Sequence, residues 1–411
     1  MVAESAIWFG FGAILPVLPL FVTEQGIDPA TLGIVIAAWP AARLVAEPIF
    51  GMLADRVGRV PLMILGLAAG AFFAALPILA QGAAAFILLR ALSGLAAALY
   101  DPAARGYIVD ATSPEERGEA FGLYTAFQTS GIFLGPLAGA IAAGIVGSTE
   151  VVFLIGAAAQ ATAAIAIARG LRERVHVQAP GVRPLGLGEL PPDVPAPEMS
   201  AAGANRSAAR APRSLVNRDL GAALCLSFGV YFAGGAWDVV WSLFLAARGY
   251  GLGFIGLTVA LYGLPALVLS PIVGRRVDRV GPWRFVVAGM LATAITGVLY
   301  PLATNAGAII GLVLIETVGW TLVGPALYTL VARGSPTDRL STAQGIAGTA
   351  GTLGSIIASL IAGRLFAIDD ALPFIAFAIV IVGSLGGAAV VQGPRLLARH
   401  RHVDTPASPA E

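Results

Sequence analysis

The sequence predicts an all-α integral membrane protein, with twelve transmembrane helices in two pseudo-symmetric six-helix bundles. Hydrophobic residues make up 57% of the 411 residues, and charged residues make up 12%. A soluble domain carries about twice that charged fraction, so most of this surface must face lipid. An internal repeat and an uneven distribution of arginine support the same fold class.

Twelve apolar segments are long enough to cross a bilayer, since a span needs about 20 apolar residues. We number them helix 1 to helix 12, and they run near residues 1–22, 30–52, 60–80, 84–108, 118–145, 150–170, 219–246, 253–275, 283–303, 306–332, 341–367 and 371–392. The apolar runs continue through glycine and proline, which total 51 and 27 residues. Bundled membrane helices tolerate both residues, because neighbouring helices satisfy the freed backbone groups.

The second half of the sequence repeats the first at a constant offset of 223 residues, the spacing between Gly51 and Gly274. The same offset pairs Gly12 with Gly235, Gly33 with Gly256, Gly66 with Gly289, Pro102 with Pro325 and Gly131 with Gly354. A site between two similar bundles can open alternately to either side, as in many secondary transporters. Residue 1 aligns within helix 7, so we expect helix 1 to be about one turn short, which suggests a clipped start.

Arginine is concentrated in the loops that follow even-numbered helices and in the tail. Loops that follow odd-numbered helices carry acidic residues, with Arg248 as the one clear basic exception. Arginine retained on one side of a membrane marks that side as cytoplasmic. We therefore expect a multi-pass protein of the cell membrane, with both termini in the cytoplasm.

The longest stretch without hydrophobic periodicity separates helices 6 and 7 and is rich in proline, alanine and arginine. This composition predicts a cytoplasmic linker, largely disordered, over residues 171–218. The remaining predicted parts are an amino-terminal bundle over 1–170, a carboxyl-terminal bundle over 219–394 and a cytoplasmic tail over 395–411.

Several classes of function are disfavoured by residues that the chain lacks. It has one cysteine, Cys225, and three histidines, all of which lie in the linker or the tail. A closed metal site usually needs four ligands, so no metal site is predicted. The chain contains no lysine, which a phosphate-binding loop requires. We expect a monomer with no enzyme activity, no cofactor and no nucleic-acid partner.

A glycine-rich charged loop joins helices 2 and 3, where glycine permits a tight turn and the charges can pair at helix ends. Its residues are Gly51, Leu53, Asp55, Arg56, Gly58 and Arg59, and the second copy has Gly274, Asp278, Arg279 and Gly281, with Pro282 replacing the last arginine. The loop resembles the G-x-L-x-D-R-x-G-R signature of the major facilitator superfamily. The resemblance covers essentially the whole ordered chain and implies the major facilitator fold. It also implies that these loops stabilise one side of an alternating-access cycle, with Asp110 and Arg117 as candidate partners.

Two further patterns resemble this family. In helix 4, Arg90 and Gly94 fit its R-x-x-x-G pattern, which is associated with proton transfer, although a purely structural arginine stays an alternative. Helix 5 carries the pattern associated with proton-coupled drug antiporters, at Gly122, Gly131, Gly135, Pro136 and Gly139, with Ala140 in place of the last glycine. From the residues alone, glycines four apart let helix 5 press closely on a neighbouring helix.

Ionisable residues inside helices are functional candidates by default, because a charge within a membrane is costly. The candidate proton-coupling residues are Arg90, Asp238, Glu316 and Glu4. The resemblance implies that helices 1, 4, 7 and 10 surround the central cavity, so we expect Arg90 to pair with Glu316 and Asp238 to lie nearby. Mere neutralisation of buried charge is the structural alternative, and it is the favoured interpretation for Arg43 and Glu47. The candidate substrate-cavity residues are Gln128, Tyr231, Trp237 and Trp241, although aromatic residues near helix ends are just as often interface anchors.

Three functions compete. The first is an exporter that uses the proton gradient to expel a small amphipathic or drug-like organic molecule. The second is an importer or facilitator for a metabolite such as a sugar or organic acid, which the helix 5 pattern disfavours. The third, a membrane enzyme or a non-transporting receptor, has no catalytic residue set to support it.

Overall fold

The structure, a computed structural model, describes residues 2–113, 117–171, 217–335 and 340–393. The predicted linker, apart from residues 171, 217 and 218, and the predicted tail lie outside these ranges. The described residues form twelve long helices when the two pieces before Glu24 count as one. Ten of the helices are long and apolar enough to cross a membrane, or eleven with that bent pair. The remaining one, helix 8, is 29 residues long.

The observed helix bounds follow the predicted segments closely. They are Val2–Ile14 with Val17–Glu24 (helix 1), Pro29–Val57 (helix 2), Arg59–Ala75 (helix 3), Gly82–Ala111 (helix 4), Arg117–Val146 (helix 5), Glu150–Gly170 (helix 6), Arg218–Ala247 (helix 7), Leu252–Val280 (helix 8), Pro282–Leu299 (helix 9), Ala306–Gly334 (helix 10), Leu340–Ile368 (helix 11) and Leu372–Gln392 (helix 12).

Helix 1 is broken, which the apolar pattern did not predict. Its two pieces meet at 41°, with Leu15 and Pro16 between them. Proline has no backbone N–H and its ring clashes with the preceding turn, so a helix that reaches Pro16 must bend or stop. The break lets the second piece of helix 1 lean on helix 7 of the other half.

Repeated glycines mark equivalent helix crossings in the two halves. A Cβ added to Gly12 would lie 2.4 Å from the carbonyl oxygen of Ile132, which places helix 1 directly on helix 5. A Cβ added to Gly235 would lie 2.4 Å from the carbonyl oxygen of Ser355, the residue that the repeat pairs with Ile132. Only glycine permits backbones this close, so the sequence repeat records a repeated packing geometry.

The bundle has two ends, which we name by what lies there. The termini side holds Gly58, Gly281 and the first and last described residues, 2 and 393, and the far side holds Gly26 and Gly249. All four glycines have positive φ, a conformation that permits the tight turns between successive helices. Helices 2 and 11 pack together across the two halves, and so do helices 5 and 8.

Candidate functional site

The two halves are pressed together on the far side. A Cβ added to Gly33 on helix 2 would lie 2.2 Å from the carbonyl oxygen of Ser359 on helix 11. A Cβ added to Gly256 on helix 8 would lie 2.8 Å from the carbonyl oxygen of Pro136 on helix 5. The 223-residue offset relates Gly33 to Gly256, and it also relates Pro136 to Ser359. The far side is therefore closed by two copies of one contact.

On the termini side the same helices diverge. Gly122 on helix 5 and Gly345 on helix 11 are also related by the repeat, and neither has an atom within 4 Å of an added Cβ. Met52, near the termini-side end of helix 2, is 58% exposed. The space between the halves is therefore closed on the far side and widens toward the termini side.

A cavity of about 540 Å³ lies between the two halves, near the middle of the bundle. Phe11, Trp39 and Arg90 line it from the amino-terminal half, and Asp238 and Ser355 line it from the carboxyl-terminal half. Asp238 is the carboxylate whose charge acts on Arg90. The structure thus brings two of the predicted proton-coupling residues to one cavity.

A second and larger cavity, of about 880 Å³, lies within the amino-terminal half among helices 1, 2, 3, 4 and 6. It shares Phe11, Trp39 and Arg90 with the first cavity. Its wall is mostly apolar and aromatic, which is typical of sites for organic molecules of drug size. The sequence did not indicate this cavity, because its lining comes from helix faces that read as ordinary core.

Trp39 stands between two guanidinium groups. The guanidinium carbon of Arg43 lies 4.6 Å from the indole centroid, and that of Arg90 lies 5.9 Å away. Phe11 packs on the same indole at a centroid distance of 5.1 Å. Cations over an indole face are attracted by its quadrupole, so this arrangement holds Trp39 in place. In the sequence, the spacing of Trp39 and Arg43, four residues apart on helix 2, was the feature that could have indicated this contact.

A polar cluster lies toward the termini side of the larger cavity. Arg43 forms ion pairs with Glu47 and with Asp101, and Arg105 lies 3.9 Å from Glu47. The expected neutralisation of Arg43 by Glu47 is therefore present, with Asp101 as a further partner. Because Arg43 has two carboxylate partners, little of its charge is available to a ligand.

Glu4 is 1% exposed and lies beside that cluster. Its carboxylate accepts hydrogen bonds from Trp8 and from Tyr100, both at 2.7 Å, and from Gln128 at 3.4 Å. Gln128, predicted to line the substrate cavity, is thus part of the Glu4 network. It is not among the residues that line either cavity.

Glu316 does not pair with Arg90 in this structure, which corrects the expected arrangement. Its carboxylate is 1% exposed and accepts a hydrogen bond of 2.6 Å from the hydroxyl of Tyr300. The side chain of Tyr262 also forms a hydrogen bond with this carboxylate. Matched depth in helices 4 and 10 did not bring the two side chains together, because Glu316 turns into the core of its own half.

The aromatic candidates of helix 7 also lie apart from the two cavities. Trp241 is 1% exposed and its indole N–H donates to Thr258 at 3.0 Å. Trp237 stacks on Trp241 at a centroid distance of 5.0 Å. Tyr231 is 45% exposed and packs against Gly351 of helix 11. None of these three rings is among the residues that line the two cavities; Trp241 belongs to the core and Trp237 packs against it. Their place in the substrate cavity therefore stays a prediction.

The helix 5 pattern is divided between two contacts. Gly131 and Gly135 lie against the backbone of helix 1, where added Cβ atoms would lie 2.4 Å and 2.2 Å from the carbonyl oxygens of Ser5 and Phe9. Gly139 packs on Ala13 of the same helix. Pro136 instead meets Gly256 across the halves. Helix 5 thus presses on helix 1 with one face and closes the far side with another, while Gly122 faces open space.

The loop between helices 2 and 3 forms an ion-pair network within its own half. Arg59 lies 2.5 Å from Asp55 and 3.3 Å from Asp110, the candidate partner in the next loop on this side. Asp55 is 63% exposed in its side chain. Arg56 and Arg279 are also exposed, whereas the side chains of Asp278 and Arg117 lie outside the described part of the structure. Gly51, Gly58, Gly274 and Gly281 lie at or near the helix ends.

Over the ranges that the structure describes, no group of three or more His, Cys, Asp or Glu side chains could hold a metal ion. The site is therefore described by its two cavities, its buried carboxylates and Arg90.

Known proteins resemble this chain, one of them over most of its length. The chain is 23% identical over 381 residues to "Multidrug resistance protein 2" of Bacillus subtilis (strain 168), which covers 92% of this chain and 90% of the relative. It is 28% identical over 130 residues to "Quinolone resistance protein NorA" of Staphylococcus aureus (strain MRSA252), which covers 32% of this chain and 34% of the relative.

Two solved structures share the fold. A bacterial homolog to the human lysosomal transporter Spinster, in an inward-facing and occupied conformation, superposes with a TM-score of 0.72 and 15% identity, covering 99% of this chain and 97% of that one. The nucleoside transporter NupG superposes with a TM-score of 0.70 and 12% identity, covering 95% of this chain and 96% of that one. At these identities the likeness shows the fold alone.

The family assignment comes from the match to a family model. That model, described as Major Facilitator Superfamily, matches residues 1–359. The proteins of this family and the structural neighbours are transporters, so the chain is not an enzyme. Because the match covers well over half of the sequence, this multi-pass membrane protein is a member of the Major Facilitator Superfamily.

Proposed function

We propose that this protein is a secondary active exporter, which expels a small amphipathic or drug-like organic molecule in exchange for protons. The observation that carries the proposal is the cavity between the halves, closed on the far side by Gly33 and Gly256 and widening toward the termini side. A site between two related bundles can be exposed alternately to either side of the membrane. The names of the relatives, a multidrug resistance protein and a quinolone resistance protein, support a drug-like substrate.

The proposal includes an orientation. We place the termini side in the cytoplasm of a cell that carries the protein in its cell membrane as a monomer, because arginine is retained on that side. The conformation described above is then open to the cytoplasm, ready to take a molecule from the cell interior or the inner leaflet. The charged loops with Asp55, Arg59 and Asp278 would close this side in the opposite state.

Glu316 is the proposed proton-coupling residue, with Asp238 and Glu4 as the next candidates. It is a carboxylate buried inside the carboxyl-terminal half, where it accepts a hydrogen bond from the hydroxyl of Tyr300. No arginine forms an ion pair with it among the described residues. A carboxylate in such surroundings can be neutralised by a proton, and the change of charge can favour one state of the cycle over the other.

The test is efflux from proteoliposomes with and without an imposed pH gradient, using a fluorescent quinolone as the probe. We expect Glu316→Gln to abolish gradient-driven efflux and to retain exchange of the probe at equal pH. Glu150→Gln, which changes an exposed carboxylate on the far side, is the matched control and should transport normally. If Glu316→Gln still concentrates the probe against its gradient, the coupling role passes to Asp238 or Glu4.

Import of a metabolite is the second candidate. The same fold occurs in a structure named as a nucleoside transporter, so the fold does not decide the direction. If the probe moves across the membrane in the same direction as the protons, rather than in the opposite direction, this candidate is favoured.

A further inference from the structure

The larger cavity, inside the amino-terminal half, contains a cation that the protein leaves partly unpartnered. The Nε atom of Arg90 is buried and has no hydrogen-bond partner among the described residues. Leaving a charged donor of this kind without an acceptor costs more than an ordinary hydrogen bond contributes. Arg43, the other guanidinium on this wall, is instead saturated by Glu47 and Asp101.

The charged residues that line this cavity are Arg43, Arg90 and Asp101. Arg43 is paired with Asp101 and with Glu47, so Arg90 is the lining cation that no carboxylate of the amino-terminal half neutralises among the described ion pairs. Asp238 acts on Arg90 from the opposite half, but it lines only the cavity between the halves. Arg90 therefore faces a carboxylate on one side and, on the other, a mostly apolar cavity in which no described residue accepts a hydrogen bond from its Nε atom.

The remaining lining suits an aromatic body. Trp8, Phe73 and Phe86 contribute rings to the wall, and Ser93 and Gln160 contribute small polar groups. Gly70 leaves the space that the Gln160 amide occupies, since a Cβ there would lie 2.1 Å from Oε1. The empty space of about 880 Å³ includes a part that is open to solvent.

Resting on the proposed function, we propose that the substrate site extends into the amino-terminal half through the wall formed by Trp39 and Arg90. The site takes an amphipathic molecule with an aromatic body and a carboxylate. Arg90 donates to the carboxylate, and the rings of the larger cavity enclose the body. Arginine suits this role because its planar fork can donate two parallel hydrogen bonds to one carboxylate. Asp238 and the bound carboxylate then compete for the same guanidinium.

Equilibrium binding to the full-length protein in nanodiscs tests this inference without any gradient. The probes are tritiated 2-naphthaleneacetate and the corresponding cation, 2-naphthylmethyl-trimethylammonium, which share an aromatic body and differ in charge. We expect the carboxylate to bind more tightly than the cation. Arg90→Gln should weaken carboxylate binding about 10-fold or more, which is the effect of losing a charged hydrogen bond, and Arg90→Lys should weaken it less. Arg169→Gln is the matched control, because Arg169 is exposed in the last turn of helix 6 and lines neither cavity, and this variant should bind normally.

Two more variants separate a ligand role from a structural one. Ala97→Phe fills the larger cavity and should abolish binding, whereas Ala84→Phe places the same ring on an exposed face of helix 4 and should not. Asp238→Asn removes the competitor for Arg90 and should tighten binding of the carboxylate. A merely structural arginine would give no such increase.

Tighter binding of the cation, unchanged binding by Arg90→Gln, or unchanged binding by Ala97→Phe would each overturn the inference. Its failure is distinguishable from failure of the proposed function. Binding that depends on Arg90 without proton-driven efflux refutes only the exporter. Proton-driven efflux with binding that is indifferent to Arg90 refutes only this site.

Discussion

Closure of the far side depends on two glycines, which makes Gly256→Ala a sharp test of the mechanism. The added Cβ would lie 2.6 Å from the Cβ of Ala140 and 2.8 Å from the carbonyl oxygen of Pro136. Neither atom belongs to a flexible side chain, so helices 5 and 8 must separate. Overpacking of this kind costs about 1–3 kcal/mol.

The substitution destabilises only the far-side-closed conformation, because Gly256 contacts the other half only when the far side is closed. The equilibrium should therefore shift toward the far-side-open state by about 5-fold to 150-fold. Gly33→Ala should act in the same direction and more strongly, because its Cβ would lie 2.2 Å from the Ser359 carbonyl oxygen. Transport should slow in both variants, since each cycle requires closure of this side.

Spin labels at Gln25 and Ile368, two exposed far-side positions, would measure the shift by pulsed electron resonance in a Cys225→Ser background. Gly253→Ala is the control, because Gly253 lies one turn from Gly256 on helix 8 and has no atom within 4 Å of an added Cβ. It gains the same helix propensity, about 1 kcal/mol, without the clash. A distance distribution in Gly256→Ala that matches the Gly253→Ala distribution would refute the reasoning.

Three further predictions concern the loops and the orientation. Asp55→Asn should cripple transport without affecting membrane insertion, because it removes the carboxylate that lies 2.5 Å from Arg59; normal transport by this variant would contradict the gating role. Single cysteines at Asp28 and Arg183, in the same Cys225→Ser background, should react with impermeant reagents from opposite sides of the membrane, and access to position 183 from outside would overturn the topology. The hydroxyl and the backbone N–H of Thr31 lower the pKa of Asp28 below its usual 3.8, so its cap on helix 2 contributes stability above that value and loses it as the pH falls through the lowered pKa. The melting temperature should therefore fall less between pH 7 and pH 3 in Asp28→Asn than in the unaltered protein. An equal fall in the two proteins would refute the assignment.

The sequence was a good guide to the helices and a poorer one to the site, for physical reasons. Apolar runs of span length predict a helix almost wherever they occur, because the backbone has no other way to satisfy its hydrogen bonds in lipid. The glycines four apart in helix 5 predicted close packing on a neighbouring helix, and Gly131 and Gly135 lie against the backbone of helix 1. The break at Pro16 was missed, because proline inside an apolar run leaves the hydropathy pattern unchanged.

Side-chain direction was the information that the sequence did not contain. Depth along helices 4 and 10 placed Arg90 and Glu316 at one level, yet a helix rotation of half a turn decides whether two side chains meet or point apart. Glu316 faces Tyr300, and Arg90 faces Trp39 and the Asp238 side of the cavity. Trp241 illustrates the same point, since a tryptophan at that depth fits a core as well as a cavity wall.

The paired far-side crossings have a consequence for the history of the chain. Gly33 and Pro136 belong to one half, and each meets the counterpart of the other in the second half. One half therefore presents both surfaces of a self-complementary contact, which is the defining property of an isologous dimer. Two identical six-helix chains could have associated through this contact before they were joined. The two halves now differ in what they enclose: the amino-terminal half contains the larger cavity and Arg90, and the carboxyl-terminal half contains Glu316 beside Tyr300.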